Sequence, residues 1–354
     1  MAKVGIILIN YKNYAKRFLT EARDSLRLLD YPKELFSVYI VDNASSPETR
    51  QYLKQVYPEA QILPRDDGNY SAANNAGAKR AIADGCQYLA IANLDTKFEK
   101  NWLAELVIAI ESDSTIGIAQ SKILLYPQVE EKKIKINSLG NIIHFLGFGY
   151  TSDYKEPDRE INGLIEIPGY ASGCSFIIKS EIFEKINGYD EEYYMYHDDM
   201  EMGWKTKLAG WKIVLAPKSI IYHKYEFARS ILMVYYMERN RYLVMFHNYR
   251  LATIILLLPA IILMEGGMIF YSIISGWFKV KMKVDYYFLK LSSWQKIIAK
   301  RKKIKILRKK KDREIIKGFS GRVLFQEINN PLLKYLANPF FNIYWQLIKK
   351  IIIW

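Results

Sequence analysis

The sequence predicts an α/β fold with a central, mostly parallel sheet, followed by a hydrophobic and basic C-terminal helical region. Over the first 120 residues, short apolar runs alternate with longer amphipathic runs. This alternation is typical of parallel strands joined by helices that cover both faces of a sheet. Beyond residue 250 the alternation stops, and an apolar stretch of 28 residues precedes a cluster of lysine and arginine.

The N-terminal elements follow one another in strand–helix order. Apolar runs predict strands at residues 4–9, 37–41, 61–63 and 88–92. Apolar residues at helical spacing predict helices at residues 14–29, 46–57, 71–84 and 101–112. Ligands of such sheets bind beyond the carboxyl ends of the strands. The polar residues at those ends, Asn10, Asp42 and Asn93, therefore lie where a ligand is expected.

The middle of the chain has a weaker pattern. Residues 128–169 contain several glycines and a charged stretch, and they predict loops with a hairpin rather than a linker between domains. Regular elements return after this stretch. We predict strands at residues 174–178 and 212–216 and helices at residues 180–186 and 198–209.

Residues 251–278 form the most apolar part of the chain. A single membrane-spanning helix needs about 20 residues, but Pro259 and the Glu265-Gly266-Gly267 sequence divide the stretch into pieces of about 11–14 residues. Basic residues flank both ends, which favours a cytoplasmic position for both flanks. We therefore expect a re-entrant or in-plane hydrophobic hairpin or helix at the cytoplasmic face of the cell membrane. The alternative is a buried pair of core helices.

The positive charge is concentrated in one segment. The formal net charge is +14, from 51 Lys and Arg against 37 Asp and Glu. Residues 279–317 hold 16 basic and 3 acidic side chains, or +13, so the other 315 residues carry only +1. A nearly neutral body disfavours a nucleic-acid partner. We expect the basic segment and the aromatic residues 332–354 to contact an anionic membrane surface, where each Lys or Arg contributes about 1 kcal/mol.

The residues that follow the predicted strands include candidate ligands. Asp95 and Asn93 offer oxygens that can hold a hard divalent cation, which in turn neutralises a diphosphate. Asp42 offers a carboxylate that can accept hydrogen bonds from a base or a ribose. The alternative for each acid is a turn or a helix cap. The Asn-rich sequence 67–77, which includes Asn74, allows close approach to the backbone but lacks the spacing of the dinucleotide and P-loop fingerprints.

Two further features indicate acid–base or metal chemistry. Asp198 and Asp199 are adjacent, and repulsion between two carboxylates favours at least one raised pKa, which suits a general base. The alternative is an acidic first turn that complements a helix dipole. His223 follows a strand-like sequence at residues 219–222, where a lone histidine is either a metal ligand or a structural residue.

Six stretches of the sequence occur in an order and at a spacing far more specific than any one motif. They are VGIILINYKN, VYIVDNAS, NYSAANNAG, LAIANLDTKFEKNWLAEL, ASGCSFIIKSEIFEKINGYDEEYYMYHDDMEMGWKTKLAGWKIVLAPKSIIYHK and YYMERNRY. Together they resemble the family 2 glycosyltransferases, specifically the rhamnosyltransferase-like branch, almost continuously over residues 4–248. The resemblance implies a GT-A fold, in which one α/β domain binds a nucleotide-sugar.

The resemblance also implies roles for the candidate residues. Asp199 matches the general base that takes the acceptor proton. Asp95 matches the metal-binding residue of a DxD-type element, and His223 matches a histidine that helps to hold the metal, Mg²⁺ or Mn²⁺. Arg239 and Arg241 are expected to reach the diphosphate or an anionic lipid. The residues expected to bind the nucleotide-sugar are Asn10, Asp42, Asn74, Asn93, Asp95, Ser172, Gly173, Asp198, Arg239 and Arg241.

The activity that the resemblance implies is an inverting, metal-dependent transfer of one sugar. The donor would be a nucleotide-sugar of dTDP-rhamnose or UDP-hexose type, and the acceptor a membrane-associated, polyprenyl-linked glycan. The QxxRW sequence of the processive synthases is absent, which favours a single addition. Asn69 stands where most relatives carry glycine, and we expect it to tolerate a positive φ there.

The implied organisation is a catalytic domain at residues 1–248, a hydrophobic segment at residues 249–278 and a basic, aromatic membrane-associated region at residues 279–354. The sequence disfavours two other classes of function. One is a non-catalytic basic membrane or nucleic-acid binding protein on an α/β scaffold, which would not need a base opposite a metal site. The other is a sugar nucleotidyltransferase, whose Gly-rich activating loop is missing near the N-terminus.

Overall fold

The computed structural model describes residues 2–127, 133–226, 234–324 and 331–354. These residues form two compact units. Residues 234–248, which we predict to be part of the catalytic domain, belong to the second unit. The division of the chain at residues 248 and 278 stays a prediction. The first unit comprises Met1–Asn141, Thr151–Thr206 and Trp211–Tyr225, and the second comprises Ile142–Tyr150, Lys207–Gly210 and Glu226–Trp354.

The strands confirm the predicted α/β sheet. They are β1 (Val4–Tyr11), β2 (Phe36–Asn43), β3 (Gln61–Arg65), β4 (Tyr88–Asn93), β5 (Thr96–Phe98), β6 (Ile116–Leu125), β7 (Ile136–Ser138), β8 (Asn141–Ile143), β9 (Gly149–Thr151), β10 (Ile165–Glu166), β11 (Ser175–Lys179) and β12 (Lys212–His223). The strand β6 was missed, because Gln120, Ser121 and Lys122 interrupt its apolar run although all three are buried.

The main sheet has the strand order β10-β12-β6-β11-β4-β1-β2-β3. The pairs β1–β2, β1–β4, β2–β3 and β6–β12 are parallel. β11 lies antiparallel between β4 and β6, so these two strands point the same way. The sheet is therefore mixed and mostly parallel, and the predicted ligand-binding ends of β1, β2 and β4 lie at one edge.

Outside this sheet, β8 pairs with β9, which confirms the hairpin expected within residues 128–169. Residues 128–132 of that stretch lie outside the described residues.

Helices cover the sheet because each buries one apolar face on it. On one face, Leu19, Ala22 and Leu26 join a buried cluster with Ile6 and Ile40. The helices of this part of the chain are α1 (Tyr14–Arg27), α2 (Pro47–Val56), α3 (Tyr70–Ala83), α4 (Trp102–Glu111), α5 (Ser180–Lys185) and α6 (Asp198–Leu208). All six correspond to predicted helices, with differences of at most three residues at their ends.

The helix α3 approaches the sheet closely at Gly77. A Cβ atom added to Gly77 would lie 2.7 Å from Cγ2 of Ile7 and 3.2 Å from Cγ2 of Val41. This approach brings the first turn of α3 beside the ends of β1 and β2. Asn69 caps the helix by accepting the N–H of Ala72.

The conformation expected at Asn69 was wrong. Its φ is −76°, and the preceding Gly68 has the positive φ, at 71°. A helix-capping residue has extended backbone, so the left-handed turn falls one residue earlier, on the glycine.

The second unit is helical. Its helices are α7 (Val234–Asn248), α8 (Leu251–Ile274), α9 (Phe278–Leu289), α10 (Leu291–Leu307), α11 (Asp312–Ile315) and α12 (Asn338–Ile351). By length and composition, α8 is long and apolar enough to cross a membrane, with a mean hydropathy of 2.2, and 28% of its most apolar window is buried.

The expected break of the apolar stretch into short pieces was wrong, because α8 continues through Pro259 and through Gly266 and Gly267. A proline removes one hydrogen bond, and each glycine weakens a helix by only about 1 kcal/mol relative to alanine. Contacts from neighbouring helices offset these losses. Tyr242 and Lys281 both donate to the carboxylate of Glu265 in the middle of α8.

We predict that Gly77→Ala lowers the stability of the chain. The added methyl group must displace Ile7 and Val41, and such overpacking costs about 1–3 kcal/mol. Thermal and urea unfolding followed by circular dichroism would measure the loss. Gly266→Ala is the matched control, because a Cβ there meets nothing within 4 Å and a helical alanine is favoured over glycine. Equal midpoints for the Gly77 variant and the wild type would contradict the close packing of α3.

Candidate active site

The ends of β1 and β2 form a buried polar pair. Asn10 and Asp42 are partners in the sheet register, and Nδ2 of Asn10 donates to Oδ1 of Asp42 at 2.7 Å. The other oxygen of Asp42 accepts from Oγ of Ser45 at 2.6 Å and from Nε of Arg50 at 2.8 Å. Asp42 is 0% exposed. Its predicted contact with a nucleoside stays a prediction, and a base or ribose reaching it would compete with these partners.

Asn43 holds the loop that precedes α3. Its Oδ1 accepts the N–H of Gly68 at 2.9 Å, and its Nδ2 donates to the carbonyl of Asn69 at 3.1 Å. We did not predict this role. Asn43 is a polar residue next to Asp42 in the sequence, but only the fold brings its partner, the loop at residues 68–69, beside it.

The carbonyl oxygen of Tyr194 binds the first turn of α3. It accepts the N–H groups of Tyr70 at 2.8 Å and of Ser71 at 3.2 Å. Tyr194, Tyr196 and His197 have positive φ values of 67°, 63° and 60°. Non-glycine residues adopt this conformation rarely, and clusters of them mark functional segments. No pattern in the sequence indicates this contact, which fixes the segment that enters α6.

Asp198 and Asp199 begin α6. Oδ2 of Asp199 accepts the N–H of Gly173 at 3.0 Å, and its Oδ1 accepts the N–H of Met200 at 2.8 Å. Burial raises the pKa of Asp199 to about 6, while these two N–H groups act in the opposite direction. Burial, and then the charge of Asp199, raise the pKa of Asp198 to about 8.

Both pKa values therefore lie above the ordinary value of a carboxyl group, and that of Asp198 is raised further. Two backbone N–H groups orient Asp199, as a general base requires. Asp198 is buried, whereas Asp199 is partly exposed. Burial and hydrogen bonding thus give two adjacent acids different environments.

Asp95 and His223 meet where β5 pairs with the end of β12. Nε2 of His223 lies 3.4 Å from Oδ1 of Asp95. Nδ1 of His223 lies 2.9 Å from Oδ1 of Asn137, and because an amide oxygen only accepts, Nδ1 carries the proton. In the neutral imidazole, the lone pair of Nε2 can bind a cation, which would replace the proton that Asp95 and Cys174 favour there. Burial lowers the pKa of His223, but Cys174 and Asp95 raise it more, so the net direction is upward.

The Asp95–His223 pair fits a divalent cation. Two ligands of one ion at usual metal–ligand distances and angles are about 3.0–3.4 Å apart. In the described part of the chain, no three His, Cys, Asp or Glu side chains converge on one point. An ion here would therefore complete its shell with substrate oxygens and water, as Mg²⁺ does at phosphate sites.

Residues 172–174 connect the Asp95–His223 pair to Asp198 and Asp199. The N–H of Ser172 donates to Oε1 of Gln120 at 2.7 Å. The carbonyl of Cys174 accepts the N–H of Asn93 at 3.0 Å. A Cβ added to Gly173 would lie 3.5 Å from Oδ2 of Asp199, so glycine keeps this side of the carboxylate open. The structure thus brings Asn93, Ser172 and Gly173 to the site.

Asn74 and Asn93 have defined side-chain contacts nearby. Nδ2 of Asn74 donates to the carbonyl of Tyr70 at 3.0 Å, one turn earlier in α3. Oδ1 of Asn93 accepts from the hydroxyl of Tyr70 at 3.2 Å. Tyr70 therefore joins two residues that we predicted to bind the nucleotide-sugar. Their contact with a donor stays a prediction.

Arg239 and Arg241 belong to α7 of the second unit and are both buried. The guanidinium of Arg239 lies over the rings of Tyr235, Tyr236 and Tyr287 at 5.1–5.4 Å. Arg241 forms two hydrogen bonds with Glu238, at 2.6 and 2.9 Å. These contacts give both arginines a structural role, and their predicted contact with a diphosphate or a lipid stays a prediction.

Two adjacent carboxyl groups and a carboxylate–imidazole pair thus lie near the carboxyl ends of strands in an α/β sheet. The chain belongs to a family of transferases: the family model "Glycosyl transferase family 2" matches residues 4–186, just over half of it. The crystal structure of GalNAc-T7 with UDP, GalNAc and Mn²⁺ has the same type of fold. It aligns with a TM-score of 0.53 and 17% identity over 68% of this chain and 47% of that chain. The fold is therefore GT-A-like, as expected.

The individual proteins that resemble the chain are distant relatives, at 23–28% identity. The chain is 26% identical over 209 residues to the N-acetylglucosaminyl-diphospho-decaprenol L-rhamnosyltransferase of Mycobacterium tuberculosis, which covers 53% of this chain and 66% of the relative. It is 23% identical over 212 residues to the low-salt glycan biosynthesis hexosyltransferase Agl10 of Haloferax volcanii, covering 58% and 61%. It is 28% identical over 232 residues to the O-antigen biosynthesis protein RfbC of Myxococcus xanthus, covering 62% and 17%. The chain spans less than two thirds of each relative.

We predict that Asp198→Asn makes the protein more stable than the wild type at pH 8 but not at pH 4. The folded-state pKa of Asp198, about 8, lies above its ordinary value of 3.8. The native state therefore holds the proton more tightly, and the wild type loses stability as pH rises from about 4 to about 8. Asparagine stays neutral and avoids this loss, which is on the order of a few kcal/mol.

Urea unfolding at several pH values would measure the difference. Asp24→Asn, on the exposed face of α1, is the control and should show no such trend. A difference between Asp198→Asn and the wild type that does not change with pH would contradict a protonated Asp198.

Proposed function

We propose that this chain is an inverting, metal-dependent glycosyltransferase that adds one sugar to a membrane-associated, polyprenyl-linked glycan. The donor is a nucleotide-sugar of dTDP-rhamnose or UDP-hexose type. The observation that carries the proposal is the Asp199 carboxylate, held by two backbone N–H groups at a pKa of about 6 beside the Asp95–His223 pair. Membership of glycosyl transferase family 2 supports the reaction class.

In the proposed reaction, Asp199 removes the proton of an acceptor hydroxyl as that oxygen attacks the anomeric carbon. The new glycosidic bond forms while the bond from the anomeric carbon to the diphosphate oxygen breaks, so the configuration inverts. The proton remains on Asp199, and the nucleotide diphosphate departs. A base with a pKa near 6 is ionised at neutral pH and still accepts a proton effectively.

Other residues of this chain would bind and orient the donor. Asp95 and His223 would hold Mg²⁺ or Mn²⁺, and Asn137 keeps the imidazole in the required tautomer. When bound, the ion supplies positive charge that neutralises the departing diphosphate. Asn10 and Asp42 lie where the nucleoside is expected at the ends of β1 and β2.

The names of two relatives support the proposed donor and acceptor. One is a rhamnosyltransferase whose acceptor is a diphospho-decaprenol, and the other is a hexosyltransferase of glycan biosynthesis. A lipid-linked acceptor agrees with the apolar α8 and the basic segment 279–317 of this chain. We therefore place the reaction in the synthesis of a cell-envelope glycan at the cytoplasmic face of the membrane.

We predict that Asp199→Asn reduces turnover at least about 100-fold, because general-base catalysis contributes about 10²–10⁴-fold. The assay incubates the purified chain with a panel of nucleotide-sugars, membranes and Mn²⁺, and measures released nucleotide diphosphate. In the wild type, turnover should rise as pH increases through about 6, since Asp199 must be ionised. Release of pyrophosphate instead would indicate a nucleotidyltransferase.

Two controls separate catalysis from folding. Asp24→Asn also removes a carboxylate but is exposed on α1, and it should keep wild-type turnover. Circular dichroism should give the same spectrum for both variants. Full turnover by Asp199→Asn would refute the assignment of the base.

We also predict that EDTA abolishes turnover and that added Mn²⁺ or Mg²⁺ restores it. Asp95→Ala should stay inactive at any concentration of the ion, because it removes a negatively charged ligand. His223→Gln should retain some turnover but need more Mn²⁺ for half-maximal activity. Turnover by Asp95→Ala in the presence of EDTA would refute a metal role for this pair.

A further inference from the structure

We propose that α8 lies flat in the surface of an anionic membrane, with one long face inserted into the lipid and the opposite face packed on the other helices of the second unit. It does not cross the bilayer. The proposal rests on contacts within the second unit alone and does not depend on the transferase activity. The partner that contacts the exposed face of α8 is a lipid surface with negatively charged headgroups.

One face of α8 is an exposed apolar stripe that runs over most of its length. The stripe residues recur every three or four positions, as one face of a helix requires, with one gap of eight positions that contains Gly266 and Gly267. They are between 43% and 69% exposed and comprise Leu251, Ile255, Leu258, Ile262, Phe270 and Ile273. The buried residues Thr253, Leu257, Ala260, Met264 and Ser272 lie on another face, at the same spacing. The helix is thus apolar throughout but covered on one side only.

The helix α12 adds a second stripe. Phe340, Ile343, Leu347 and Ile351 are 49–62% exposed and also share one face. The hydroxyl of Tyr344 in α12 donates to the carbonyl of Leu256 in α8. Nε1 of Trp354 donates to Oγ1 of Thr253 at 2.8 Å. The two helices are neighbours, and exposed apolar surface on this scale marks an interaction site.

A spanning orientation conflicts with the helix that packs on α8. Glu265 is the fifteenth of the 24 residues of α8, so it lies near the middle of the helix. Lys281 of α9 binds Glu265, and Lys281 also pairs with Asp285. The neighbouring Lys279 and Lys283 are exposed. If α8 crossed the bilayer, these lysines would lie at mid-membrane depth, where exposed charge is strongly disfavoured.

An in-plane position removes the conflict. The apolar stripe would enter about 5–10 Å into the lipid, as interfacial helices do, while Glu265 and Lys281 stay on the protein side. The segment 279–317, with a net charge of +13, begins five residues after the last residue of α8. Its exposed lysines complement anionic headgroups. A second copy of this chain would instead bring the same positive charge against itself, which favours lipid as the occupant.

Vesicle binding tests the surface. The purified full chain is mixed with vesicles of phosphatidylcholine alone or with 30% phosphatidylglycerol, and bound protein is measured by flotation. We expect binding to the anionic vesicles that falls at least about tenfold in the double variant Ile255→Ser/Ile262→Ser, because burial of each large side chain contributes to partition. The matched control is Leu28→Ser/Ile108→Ser, both 61% exposed in the first unit.

Charge reversal tests the electrostatic part. Lys279→Glu/Lys283→Glu should weaken binding to anionic vesicles several-fold and make it less sensitive to salt. Lys54→Glu/Lys100→Glu, which reverses two exposed lysines of the first unit, should bind as the wild type does. Equal binding by all four variants would overturn the proposal. The proposal would also be overturned if the wild-type chain did not bind vesicles but formed a dimer, and if Ile255→Ser/Ile262→Ser dissociated that dimer.

Labelling distinguishes the in-plane helix from a spanning one. Arg250→Cys and Ser275→Cys place exposed thiols at the two ends of α8, and the native Cys86 and Cys174 are buried. In sealed membrane vesicles from expressing cells, an impermeant maleimide should label both positions from the same side. A fluorophore at position 251, 262 or 274 should report similar shallow depths. Labelling from opposite sides, or a depth maximum at position 262, would overturn the in-plane orientation.

Discussion

The carbonyl oxygen of Tyr194 binds the first turn of α3, and the position of Asp198 and Asp199 depends on this contact. It fixes the segment that turns through Tyr196 and His197 directly into α6, which begins with Asp198 and Asp199. The contact also uses the N–H groups of Tyr70 and Ser71 at the start of α3. A helix N-terminus is a common phosphate site, but here the protein itself occupies those donors. In the proposed reaction, the charge of the diphosphate would then be met elsewhere, beside Asp95 and His223.

The sheet could be predicted from the sequence because its strands are short apolar runs with polar residues at their carboxyl ends. The same signal identified Asn10, Asp42 and Asn93. It missed β6, since three polar side chains that are buried inside the fold look like a loop in the sequence. The pairing of Asp95 with His223 came from the family resemblance, because these residues are 128 positions apart in the sequence. The roles of Asn43, Asn137 and Tyr194 could not be predicted, because each acts on a segment that only the folded chain places beside it.

The C-terminal region shows how tertiary contacts override local rules. Proline and paired glycines predicted breaks in the apolar stretch, but α8 is continuous because Tyr242 and Lys281 hold its centre through Glu265. Arg241 also has an internal partner. Glu238, three residues earlier on the same helix, binds it, and the expected contact of Arg241 with an anion stays a prediction. Patterns of charge alone do not distinguish a free cation from one with an internal partner.

The presence of Asn93, rather than a second acid, two residues before Asp95 has a consequence for the binding of the cation. Within the described residues, Asp95 and His223 give the cation site one negative charge and one neutral ligand. Such a site would retain a divalent ion only weakly from water, because most of its coordination shell remains hydrated. Phosphate oxygens would complete the shell. Asp95 and His223 would therefore bind the ion together with the donor more tightly than the ion alone.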